Sequence, residues 1–126
     1  MNTRLGFLLF GFVFWVIGVI AIRFLGPIMF DGGLLHVLIF VIAFLSAPPT
    51  ILIVAKLAGR AKSDMLLPAA TMSLTAMLFD GLAVTFDALG VTHIYADTAL
   101  LSAYAGGLLL FAFWSIILFA VIWHRD

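Results

Sequence analysis

The chain has 126 residues, 66% of them hydrophobic and 10% charged, with a mean hydropathy of +1.33. A soluble domain is about 45–50% apolar and about 25% charged, so this composition leaves too little polar material to coat a water-soluble globule. Six Lys and Arg balance six Asp, with no Glu and no Cys, which excludes a polybasic nucleic-acid surface, a disulfide framework and thiolate metal chemistry.

The first apolar run, residues 5–25, is long enough at about 1.5 Å per residue to cross a hydrocarbon layer of about 30 Å. It outlasts the apolar core of a signal peptide, ends at Gly26-Pro27 and lacks a small-residue cleavage pattern, so an uncleaved span is expected. Gly11 and Gly18 share a face with Trp15 between them, a pattern that lets helices approach closely. After a turn carrying Asp31, a second span is predicted over residues 34–57, interrupted by Ser46-Ala47-Pro48-Pro49-Thr50. Pro48 and Pro49 remove helical donors from the carbonyls of Phe44 and Leu45, so a kink is expected there. Ser46, Thr50, water or a neighbouring helix would satisfy the freed oxygens.

Lys56, Arg60, Lys62 and Asp64 mark a charged loop that does not match a phosphate-binding loop. The third span is predicted over residues 65–86, with Pro68 near its start, where a missing donor costs least. A loop from Asp87 to Asp97 leads to a fourth span over residues 99–123. Ala99, Ala103 and Gly107 recur at intervals of four and predict a packing face, with Ser102 and Gly106 as a second small pair beside it. Trp123 before His124-Arg125-Asp126 reads as an interfacial end. The two hairpins show no internal repeat, so sequence symmetry gives no support to an inverted-repeat transporter. The expected fold is all-α, a single integral membrane domain of four helices. Arg4, Lys56, Arg60, Lys62 and Arg125 fall on one side and only Arg23 on the other, so both termini are expected in the cytoplasm.

Asp80 lies within the third span, where insertion costs about 2.5–3.5 kcal/mol for a central Asp. It therefore needs a partner, a wet cavity or a proton. Ala69, Ser73, Ala76, Asp80, Ala83 and Asp87 step by four and three along one small and polar face, so Asp80 should point into the bundle. Arg23, about one turn from the outer end of the first span, leans toward the same depth, and an intramembrane Arg23–Asp80 pair is expected. The alternative is that Arg23 snorkels to water while Asp80 is protonated or bonded to a hydroxyl. Arg23 stands off the Gly11/Gly18 face, so with the pair formed those glycines would pack on something other than the third helix.

His36, His93, Asp31, Asp87 and Asp97 collect at the outer end without metal-ligand spacing and read as solvated loop residues. His36 and His124 fall at opposite membrane faces, which rules out ligation of one haem iron. No cofactor or metal is expected. A nucleophile elbow is missing and Asp80 has no second deep carboxylate, so an enzyme is not expected.

Phe14-Trp15, Arg23-Phe24-Leu25-Gly26 and Phe79-Asp80-Gly81-Leu82-Ala83 together resemble a group of small bacterial four-span proteins catalogued only as a domain of unknown function. That resemblance implies the bacterial inner membrane and four helices, and brings no activity. Small multidrug exporters share the size and span count, but carry their coupling Glu in the first span, where this chain has none. Two functional classes stay open. One is a structural or accessory subunit that forms a homo-oligomer or joins a larger membrane complex through small-residue faces. The other is a small proton-linked transporter or channel subunit using Asp80.

Overall fold

The structure, a computed structural model, describes residues 3–125, which form four long helices. All four are long and apolar enough to cross a membrane. Helix α1 (Arg4–Met29) begins where the Thr3 Oγ1 accepts the Gly6 N–H at 3.0 Å. It runs past Gly26-Pro27, where the sequence pattern ended the span. Pro27 sits in the last turn and fits helical φ, and Phe30 N–H still closes on Gly26 O at 2.9 Å.

Helix α2 (Leu34–Ala58) is capped by Asp31, whose Oδ1 accepts the N–H groups of Gly33 and His36 at 2.8 and 3.3 Å. Pro48 and Pro49 both lie inside this continuous helix. The hydroxyls beside them serve other carbonyls than the two the prolines release: Ser46 donates to Ala43 O and Thr50 to Ser46 O. Gly59 ends α2 in the left-handed region at φ +67°, a conformation that costs glycine least. A single 3₁₀ turn, Lys62–Asp64, leads to α3 (Leu66–Ala88), and a loop leads to α4 (Ala99–Trp123).

Helix α3 packs against α1 on one side and α4 on the other, and α2 lies against the far side of α4. Small residues make these seams close. A Cβ on Gly11 would overlap the Met72 carbonyl oxygen of α3, and one on Gly18 would stand 3.0 Å from Leu109 of α4. Gly11 therefore meets the third helix directly, contrary to expectation, since no Arg23–Asp80 pair rotates it away, whereas Gly18 on the same face packs on α4.

On α4 the packing pair is Ser102 and Gly106. A Cβ on Gly106 would overlap the Val84 side chain. The predicted face of Ala99, Ala103 and Gly107 is instead exposed, and a Cβ on Gly107 meets nothing within 4 Å. The register of α4 decides this: residues 102, 106, 109 and 113 point inward, one position away from the 99/103/107 stripe. The polar face of α3 is buried throughout, Ser73 and Ala76 included. Leu, Ile, Val and Phe side chains cover the outside of all four helices, as a protein solvated by lipid requires.

Arg60 lies over the Phe7 ring at 5.5 Å and the Lys62 ammonium over the Trp123 ring at 4.7 Å. The start of α1, the α2–α3 loop and the end of α4 thus share one end of the bundle.

Candidate functional site

The α3–α4 loop is exposed along most of its length, but its Tyr95-Ala96 stretch turns back into the bundle. Gly90 takes φ +75° after α3, and Val91 N–H then bonds Phe86 O at 3.0 Å. Asp87 organises the remainder of the loop. Its Oδ1 accepts from the Thr92 hydroxyl at 2.6 Å and the Ile94 N–H at 2.8 Å. Its Oδ2 accepts from the Tyr95 N–H at 2.9 Å and the Ser102 hydroxyl at 2.8 Å. Four donors on one carboxylate satisfy its charge inside the fold and fix the loop to the first turn of α4.

The loop held this way delivers Tyr95 to the bundle interior, where none of the residue is exposed. Its hydroxyl donates to Asp80 Oδ1 and accepts from the Trp15 indole N–H at 2.9 Å. Burial first, and then the hydrogen bond and charge of Asp80, push the Tyr95 phenol above its ordinary range. It therefore stays protonated and remains the donor. The result is a polar chain, Trp15 to Tyr95 to Asp80, that ties α1, the loop and α3 together. Trp15 is fixed in turn by Phe79, with ring centroids 5.3 Å apart.

Asp80 is 1% exposed, yet only one of its oxygens is used. Among the described residues no hydrogen-bond donor reaches Oδ2. The side chain also lines a groove of about 410 Å³ between α3 and α4, whose other walls include Gly81, Val84, Ala103, Gly106 and Gly107. A Cβ on Gly81 or on Gly107 would find open space, so both positions border the groove without being packed by the fold.

The expected Arg23–Asp80 pair is not formed. Arg23 Nη2 bonds Asp97 Oδ1 at 2.9 Å, with the two side chains 39% and 76% exposed. The guanidinium turns outward because the end of α1 at Met29 lies within about two turns, and keeping part of its hydration costs less than descending to Asp80. The outer acids and histidines are also dispersed among separate tasks. Asp31 caps α2, Asp87 holds the loop and Asp97 pairs with Arg23. His36 packs edge-on to Tyr104 at 4.7 Å, and His93 is exposed. Among the described residues no group of three or more metal-ligating side chains gathers.

Tyr95 and Trp15 are the site residues that sequence reasoning missed. The available signal was Tyr95 itself, an aromatic with a hydroxyl eight residues beyond one acid and fifteen beyond another. No family model, curated protein or solved structure matches the chain.

Proposed function

We propose that this chain is a small multi-pass protein of the bacterial inner membrane, without enzymatic activity, acting as a structural or accessory subunit through helix–helix association. Both termini and the α2–α3 loop lie on the cytoplasmic side, a reading supported by the basic residues gathered at that end. The observation that carries the association reading is the α3–α4 groove. Gly81, Ala103 and Gly107 let a partner backbone approach closely, and Asp80 Oδ2 at the floor accepts one hydrogen bond from it. The partner is accordingly a transmembrane helix, of a second copy or of another subunit, that carries small residues and one polar donor. Most other buried polar groups are already spent inside the fold.

The test is the size of the native complex extracted in mild detergent. Gly107→Leu fills the groove without touching the fold, and should convert that complex to monomer. A complex of unchanged size would remove the groove from the account.

A second reading, a proton-linked transporter or channel subunit, is favoured by the same Asp80 oxygen. The two separate on Asp80→Asn, which keeps the acceptor for Tyr95 and loses the titrating proton. In the accessory reading association weakens, because the Asn NH₂ takes the place of Oδ2 and cannot accept the partner's donor. Loss of proton flux in proteoliposomes, with association intact, would favour transport.

A further inference from the structure

Away from the polar chain, the seam between α1 and α3 holds two hollows in line. The first lies at the basic end and has a volume of about 160 Å³. Arg4, Arg60, Thr3 and Thr71 line it over a floor that includes Phe7 and Pro68. The second, about 460 Å³, lies deeper and is apolar, between Leu8 and Phe12 of α1 and Leu74, Thr75, Leu78 and Phe79 of α3.

The two follow one another along the same helix faces. Arg4, Leu8 and Phe12 follow one another at i, i+4, i+8 on α1, as do Leu67, Thr71 and Thr75 on α3. Both helices start at the same end, and the Gly11–Met72 contact holds their backbones together beside the seam. The deep end is closed by aromatic rings: Phe12 meets Phe79 at 5.2 Å, and Trp15 lies tilted against Phe79 at 5.3 Å. From Arg4 to Phe12 is about 12 Å along the axis, close to the roughly 15 Å of hydrocarbon in one leaflet.

We infer that this seam is a binding site for one anionic phospholipid of the leaflet at the basic end, its phosphate between Arg4 and Arg60 and an acyl chain in the apolar groove. Two guanidinium groups at one hollow favour an acidic headgroup, and the planar fork of Arg suits phosphate oxygens. The Arg60 guanidinium is kept in place by the Phe7 ring below it and by its Nη1–H donating to Asp64 O at 3.5 Å. The apolar continuation, with Leu8, Leu74 and Leu78 all exposed, distinguishes a lipid from a small inorganic anion, which would use the first hollow alone. The site is separate from the α3–α4 groove and stands independently of the association proposed above.

The test uses the full chain carrying Trp114→Phe and Trp123→Phe, so that Trp15 reports from the closed end of the groove. Reconstitution is into phosphatidylcholine bilayers that contain phosphatidylglycerol or phosphatidylcholine with brominated chains at equal mole fraction. The brominated anionic lipid should quench Trp15 at a mole fraction at least threefold lower. Arg4→Gln and Arg60→Gln should each reduce that preference and together abolish it. Thr75→Phe, which fills the groove without changing charge, should weaken quenching by both lipids. Equal quenching by the two lipids would overturn the site, leaving only a general lipid annulus. A preference surviving in the double variant would also overturn it, as would displacement by millimolar inorganic phosphate, the mark of a free-anion site. Arg4 is exposed, so Arg4→Gln alone decides the matter if Arg60→Gln fails to fold.

Discussion

Asp80 and Arg23 illustrate how depth sets the worth of a polar group. Asp80 is buried, and its bond from Tyr95 stands in for hydration, whereas Arg23 stays partly exposed and pairs with the exposed Asp97 at the rim. Removing one partner of a buried hydrogen bond costs about 1–3 kcal/mol, while exposed ion pairs are worth about 0.2–1 kcal/mol. Tyr95→Phe, which orphans both Asp80 and the Trp15 N–H, should therefore destabilise the bundle well beyond Arg23→Ala when unfolding is followed in detergent. Equal losses would mean that the polar chain carries no stability. A double-mutant cycle sharpens the point. Asp80 and Tyr95 should couple by about 0.5–3 kcal/mol, and Asp80 and Arg23 should add independently. The inward direction of Asp80 was legible, because the 69/73/76/80/83/87 stripe has one period and one consequence. Its partner was not. Tyr95 reaches Asp80 only after Asp87 has folded a loop back, a tertiary event with no local periodicity.

Among the helices, small residues fall into two kinds that sequence spacing cannot separate. Gly11 and Gly106 are pressed against Met72 and Val84, whereas Gly81 and Gly107 face open space. Gly11, Gly106 and Gly107 all sit in small-residue patterns, and a shift of one position on α4 exchanges the inner face for the outer one. Gly11→Ala forces the α1 and α3 backbones apart, an overpacking that costs about 1–3 kcal/mol. Gly107→Leu should leave thermal unfolding of the monomer within about 0.5 kcal/mol of the parent. If Gly107→Leu unfolds the isolated chain as severely as Gly11→Ala, the outward placement of that face is wrong. The four spans themselves were readable from composition and run length, and α4 begins and ends where the apolar run does. The charged loop was readable only in part: Lys56, expected in it, lies in the last turn of α2, which runs on until Gly59 stops it by backbone preference.

For the molecule as a whole, charge and polarity are divided between the two ends. The basic end gathers Arg4, Arg60, Lys62 and Arg125. The other holds the Asp87-organised loop and the Arg23–Asp97 pair. Reporters fused after Asp126 and within residues 60–63 should accordingly be cytoplasmic, and one near Gly90 external; a periplasmic signal from the α2–α3 loop would invert the assignment. Between these ends the bundle surface is grooved along the α3–α4 seam, which Asp80 lines, as well as along the α1–α3 seam, and the association proposed above uses the first of these. The most direct measurement is photo-crosslinking in native membranes from a reactive residue at Ala103 in the groove, with Leu52 on the lipid face of α2 as the control. The account predicts an adduct of one discrete mass from Ala103, abolished by Gly107→Leu, and none from Leu52. No discrete adduct from Ala103, or one that persists in Gly107→Leu, would contradict it.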